Sequence, residues 1–285
     1  MHAIVVNEFG VRSRPVPGWE IPGVIGVEGT GQVSQIGAGV EGLRVGDRVA
    51  WFYHRGSFAE YVAIPASTVV AVPDFVDDQT ASAVMMQGLT ANHFTTETYA
   101  IKPGDTAVVH AAAGGVGLML TQLIKARGGS VIGLVSRPDK IAVAKDAGAD
   151  HVLVSSGGGF EDAVRDLTAG EGAHVVYDGG GAATFASSLQ ALRYHGTLAF
   201  YGPFMGIPSL TPMDLPRSVH LSYPSVGHHV RTRAALLART GELFEFLKTG
   251  DLRVRIGNRY PLSEAAQAYT DIESRRTTGK LLLIP

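Results

Sequence analysis

The stretch from Thr106 to Arg127 constrains this chain more than any other. An apolar, β-rich run over 106–109 passes through Gly114, Gly115 and Gly117 into an apolar-periodic run over 118–127. Glycine at those positions leaves no Cβ between the main chain and a phosphate. The first turn of a following helix adds unpaired N–H groups and the positive end of a dipole. A second strand-like run, Ser130 to Val135, comes next, and the whole has the length of one nucleotide-binding half of a doubly wound sheet. The pattern predicts a dinucleotide pyrophosphate lying against Ala113, Gly114, Gly115, Val116 and Gly117.

With 285 residues, 45% of them hydrophobic, the chain is long enough for two domains with a core in each. Residues 1–92 carry short β-like pieces at 31–36, 48–52 and 60–64 between turn signals, which predict a small barrel. Over 93–222 strands alternate with helices: strands at 131–135, 151–154, 174–178 and 196–201, helices at 138–148, 160–169 and 182–192. That alternation implies an α/β fold, a mostly parallel sheet with helices on both faces. The segment 223–285 reads as a helix over 233–249, a strand over 254–256, a helix over 262–274 and a closing strand over 280–284. It is expected to return to the first domain.

A net charge of −2 with no basic block argues against nucleic acid as a partner, and no apolar run reaches the length needed to cross a bilayer. The first residues lack a basic n-region, so a cytoplasmic protein is expected. The absence of cysteine excludes disulfides, thiolate nucleophiles and cysteine-ligated zinc. His110 and the pair His228–His229 have no partner at metal-ligand spacing, and no metal site is expected. No paired carboxylates and no Ser/His/Asp spacing stand out, so no catalytic residue is assigned. Hydride transfer fits that pattern, because its first half needs a donor carbon held close to an electrophile with water excluded, and no acid–base group.

The residues after the second strand bear on which nucleotide is held. NAD sites place a carboxylate there for the ribose 2′-hydroxyl, whereas NADP sites use hydroxyl and basic groups. Here Ser136 stands in the acidic slot and Arg137 and Lys140 are placed for a 2′-phosphate, which favours NADPH. The other reading is a solvated helix start, where cations oppose the local dipole. Asp139 is a potential competitor for the same cations.

Five strings, at 21–29, 45–49, 86–91, 110–117 and 275–280, together resemble the zinc-free quinone oxidoreductases. These are the zeta-crystallin-like branch of the medium-chain dehydrogenase/reductase superfamily. The strings run in family order and span over nine tenths of the chain. Zinc-dependent relatives carry a histidine where this chain has Val27, just before Glu28. The resemblance implies a Rossmann-type doubly wound sheet over 93–222 and a GroES-like β-barrel catalytic domain over 1–92. Between Gly10 and Ile21 the family has a segment longer by roughly 40 residues. Either the protein is short here or the sequence omits an internal stretch; omission is preferred, because losing barrel strands would expose sheet edges and core.

The resemblance also implies residue roles. Thr90 matches a threonine near the nicotinamide amide, although a helix hydroxyl bonded to its own backbone is the plainer reading. Ser155 stands where relatives often place a tyrosine against the adenosine phosphate. Gly179 and Gly180 match a turn that lets the ribose approach, and Tyr201 and Gly202 occupy the place of a Phe-Gly turn. Phe204 and Met205 beyond it would narrow an acceptor pocket. Arg276 matches a basic residue reaching the cofactor from the C-terminal segment, or is a surface arginine. Tyr53, His54 and Arg55 read as an exposed turn, and Glu28 as a carboxylate that fixes the barrel.

The function implied is NADPH-dependent reduction of a quinone. The alternatives are reduction of an activated alkene, an enone or enoyl thioester, and an NADPH-binding protein without turnover. A homodimer is expected from the resemblance, with the region 197–225 able to pair edge strands across a two-fold axis.

Overall fold

In the computed structural model the described residues are 5–6, 23–202 and 206–285. The expectations for the short stretch between Gly10 and Ile21, and for Phe204 and Met205, fall outside them.

The chain divides into two units, 1–86 with 256–285, and 87–255. The first begins with β1 (Val5–Val6) and β2 (Gly23–Val24), paired antiparallel. β3 (Glu28–Gln32), β4 (Arg48–Phe52) and β5 (Val69–Ala71) then form an antiparallel sheet with β4 in the centre. Val49, Trp51 and Val69 make its buried core. A Cβ on Gly29 would lie 2.7 Å from the Trp51 ring, so glycine lets the indole lie across β3. The Trp51 Nε1–H donates to Ser57 Oγ at 2.9 Å. The expected strand at 60–64 is absent. It has no ladder partner, and its Ala63 carbonyl meets His54 Nε2 at 2.9 Å instead.

Helix α1 (Asp78–His93) crosses from the first unit into the second and ends in a π-helical turn, Phe94–Thr98. The second unit continues with β6 (Thr106–Val109), α2 (Gly115–Ala126), β7 (Ser130–Val135), α3 (Ile141–Asp146), β8 (His151–Val154), α4 (Glu161–Leu167), β9 (Ala173–Asp178), α5 (Ala182–Gln190), β10 (Leu192–Phe200), β11 (His220–Ser222), α6 (Val226–His229) and α7 (Arg233–Thr249). All six strands are parallel in the order β11-β10-β9-β6-β7-β8. Val108, Ile132, Val176 and Leu198, one from each of four adjacent strands, are buried together with Phe160, Val164, Phe185 and Leu189 from the α4 and α5 region. Strands covered on both faces read as continuous apolar runs, which is why these were legible as strands.

The chain order reverses between β6 and β9, which lie side by side although five elements, α2, β7, α3, β8 and α4, separate them in sequence. In open α/β sheets the crevice at the carboxyl ends of such a pair is where ligands bind. The glycine turn follows β6 and Gly179 follows β9, so the fold puts both at that position.

The first unit closes with β12 (Ile256–Pro261), α8 (Ala265–Glu273) and β13 (Lys280–Ile284), β12 and β13 being paired in parallel. Glu28 accepts a hydrogen bond from the Met86 N–H at 3.1 Å and pairs with Lys280, tying β3 to β13. The expected division at 222/223 differs from the observed one at 255/256. α7 stays with the parallel sheet because Arg127 pairs with Glu242 at 2.9 Å, while Gln122 accepts from the Arg253 N–H at 2.8 Å.

Candidate active site

The turn between β6 and α2 is built on a close approach. Ala111 adopts φ +48, and its carbonyl accepts the Gly114 N–H at 2.7 Å. A Cβ on Gly117 would collide with that same carbonyl, so the helix starts this near the strand only because residue 117 has no side chain. Gly114 is the N-cap of α2 and no side chain bonds the helix start. The first-turn N–H groups of Gly115, Val116 and Gly117 therefore face whatever occupies the crevice. Ala113, just before them, is buried.

Gln87 on α1 stands directly against this turn, since a Cβ on Gly115 would overlap its carboxamide. Its Oε1 is buried and has no hydrogen-bond partner. A buried acceptor left unsatisfied costs about 1–3 kcal/mol, and a ribose hydroxyl or an amide N–H of a dinucleotide would satisfy it. The orphaned acceptor thus lies beside the uncapped start of α2. Thr90 lies one helical turn along α1 from Gln87, on the same side. Sequence reasoning did not single out Gln87; the only signal was its place inside the 86–91 string.

The floor beside the turn is a buried polar network. Asp178, at the end of β9, is fully buried and accepts from Ser188 Oγ at 2.6 Å, Thr184 Oγ1 at 2.8 Å and the Gly180 N–H at 2.7 Å. His110 Nδ1 lies 3.3 Å from Asp178 Oδ1, the oxygen that also accepts from Thr184 and Gly180. Burial pushes the His110 imidazole below its ordinary value, against the pull of the Asp178 carboxylate. A buried carboxylate is tolerated only when its lone pairs are taken up in this way. Its effect is to fix the Gly179–Gly180 turn. Gly179 in turn admits the Tyr201 ring, which lies 2.8 Å from where a Cβ would be. Tyr201 also packs on Phe94, with ring centroids 4.9 Å apart. Gly202 is buried beside it. Asp178 was missed in the sequence because its partners lie on α5, and the two hydroxyls four residues apart at 184 and 188 were the available sign.

The residues expected to read the 2′-position follow β7. Ser136 is half-buried, Arg137 is exposed and Lys140 is buried. Burial pushes the Lys140 ammonium below its ordinary value. Arg137 is engaged by Asp139 through two contacts, Nε to Oδ1 at 3.0 Å and Nη2 to Oδ2 at 3.1 Å. Ser155 follows β8, where its N–H bonds the Val135 carbonyl at 2.9 Å and its hydroxyl donates to Gly157 O at 2.6 Å. The fold thus gathers residues 113–117, 136–140, 155 and 179–180 at the carboxyl ends of neighbouring strands. Arg276 belongs to the other unit, where it is exposed and its N–H and Nε approach Ser274 Oγ at 3.3 and 3.4 Å.

Comparison with known proteins agrees with this architecture. The zinc-binding dehydrogenase family profile matches residues 115–241, and the alcohol dehydrogenase GroES-like domain profile matches residues 2–74. A quinone oxidoreductase of Pseudomonas aeruginosa is 37% identical over 276 residues, covering 95% of this chain and 84% of that protein. A 2-haloacrylate reductase of a Burkholderia species is 32% identical, covering 99% of this chain and 89% of that one. A mycobacterial protein solved in complex with NADPH superposes with a TM-score of 0.90 at 41% identity, covering 94% of this chain and 85% of that one. On the sequence, the fold and these relatives, the chain belongs to the zinc-free quinone oxidoreductases of the medium-chain dehydrogenase/reductase superfamily.

Proposed function

We propose that this protein is an NADPH-dependent quinone oxidoreductase. The observation that carries the reading is the turn at the β6/β9 switch point, where α2 starts at Gly115 with no side-chain cap and Gln87 Oε1 beside it lacks a partner. The P. aeruginosa relative is named a quinone oxidoreductase and the mycobacterial neighbour was solved with NADPH, which supports both halves of the proposal.

In this reading residues 113–117 bind the pyrophosphate through main-chain N–H groups. Gly179 and Gly180, held by Asp178, leave room for a ribose. Gln87 and Thr90 orient the nicotinamide end, and Tyr201 with Gly202 forms a wall beside it. Ser136, Arg137 and Lys140 receive the 2′-phosphate, and Ser155 faces the adenosine half. When bound, NADPH supplies a hydride to the quinone, and a solvent proton completes the hydroquinone. The side chains described have binding and positioning roles, and none is needed as a proton donor. The Burkholderia relative's name favours an activated alkene as the second reading of the acceptor.

No helix among the described residues is long and apolar enough to cross a membrane. We place the protein in the cytoplasm as a homodimer. β11, the edge strand of the sheet, leaves Leu221 and the adjoining Tyr223 exposed and offers a surface for a second copy.

Three outcomes are expected. Decay of NADPH absorbance with a simple benzoquinone, faster than with an enone or 2-haloacrylate at equal concentration, supports the quinone reading; the reverse order selects the alkene reading. Asp139→Asn frees Arg137 from an exposed ion pair of about 0.4–1 kcal/mol and should lower the KM for NADPH by about two- to fivefold without changing that for NADH; no change would remove Arg137 from the site. Sedimentation equilibrium should give twice the chain mass of 30.0 kDa, and a monomer would end the dimer proposal.

A further inference from the structure

Away from the glycine turn, the π-helical turn at the end of α1 gathers a second set of side chains that nothing in the proposed redox chemistry uses. His93 and Glu97 come from α1 and the π-turn, and His229 from α6. Their donor atoms, His93 Nδ1, Glu97 Oε2 and His229 Nδ1, all lie within 4.8 Å of one another. The same carboxylate oxygen faces both rings, at 3.7 Å from His93 and 3.1 Å from His229. Both ring nitrogens are buried; His93 Nδ1 has no hydrogen-bond partner, and His229 Nδ1 has the Glu97 carboxylate alone in front of it. His93 is 8% exposed and His229 4%, so water does not stand in for the missing partner.

The surroundings are arranged as they are around a ligand set. His229 Nε2 is 2.9 Å from Asn92 Oδ1; with the ring proton on Nε2, the Nδ1 lone pair is turned toward Glu97. Metal-bound histidines are held by such a bond from their other nitrogen. Glu97 Oε1 is taken by Arg239 Nη2 at 3.0 Å, which leaves Oε2 as the single free oxygen. Two imidazole nitrogens and a carboxylate oxygen thus converge on one space, a donor set that a cation would neutralise. π-turns recur at such places because the wider turn re-aims side chains.

We propose that His93, Glu97 and His229 form a site for a zinc-type divalent cation that pins α6 to the end of α1, with a fourth position left for water. Two imidazoles and one carboxylate suit zinc, whose donors at bonds of about 2.0–2.2 Å stand about 3.4 Å apart in a tetrahedron, so with all donors here within 4.8 Å no pair closes by more than about 1.4 Å on binding. The site stands whether or not the protein reduces quinones, and it revises the expectation from sequence that the chain carries no metal. The signal present in the sequence was His93 and Glu97 four residues apart on one helix face; His229, 132 positions beyond Glu97, was not linked to them.

The test uses tag-free, chelator-stripped full-length protein titrated with Zn2+ against a chromophoric chelator, and with Co2+ followed by visible absorption. One equivalent bound, a four-coordinate Co2+ spectrum and a zinc-dependent rise in Tm are expected. Glu97→Gln, which changes a half-exposed side chain, and His93→Gln should each weaken Zn2+ by more than about tenfold and abolish the spectrum. His151→Gln, at an exposed histidine elsewhere, should leave both unchanged. The metal-free alternative turns the Asn92 amide over so that it donates to His229 Nε2 and the Nδ1–H donates to Glu97. It predicts no stoichiometric binding by the wild type. That result, or binding undiminished in both ligand variants, overturns the proposal.

Discussion

The approach of α2 to the end of β6 sets the geometry of everything else in the nucleotide half. The helix begins so close to the Ala111 carbonyl that residue 117 cannot carry a Cβ, and Ala111 accepts a left-handed backbone to make the turn. A non-glycine residue at φ > 0 is held at a cost of order 1–3 kcal/mol. The neighbouring apolar strands supply the stability to hold it, since Ala107, Val108 and Val109 are completely buried. A turn held this rigidly presents its N–H groups without further ordering when a phosphate arrives, and preorganisation of that kind lowers the cost of binding.

The same economy of charge runs through the crevice. The one fully buried carboxylate there, Asp178, is surrounded by donors and spends its negative charge on fixing the Gly179–Gly180 turn. After β7 the balance is different, because Asp139 neutralises Arg137 in the open. Lys140 is the buried cation of the set. Its ammonium is pushed down by desolvation.

Much of this was legible from residue order. The buried strands announced themselves as unbroken apolar runs, and α7 was readable to its ends because Thr232 caps it, accepting the Ala235 N–H at 3.1 Å, and Gly250 ends it in a left-handed turn. What stayed hidden depends on partners distant in sequence. Gln87 gains meaning only once α1 lies against Gly115, and Asp178 only once α5 brings up Thr184 and Ser188. The stretch 60–64 has strand-like alternation, but alternation without a neighbouring strand to pair with makes no ladder. The boundary at 222/223 was misplaced because ion pairs and side-chain hydrogen bonds, invisible in a pattern of apolar residues, hold α7 to α2.

The central claim is that bare main chain at residues 114–117 holds a phosphorylated nicotinamide nucleotide. Fluorescence titration of wild-type protein and Gly117→Ala with NADPH and NADH at fixed ionic strength tests it most directly. The account predicts that the wild type binds NADPH at least about tenfold more tightly than NADH, a difference of about 1.4 kcal/mol, and that Gly117→Ala loses affinity for both. No nucleotide binding by the wild type, a preference for NADH, or undiminished binding by Gly117→Ala would contradict it.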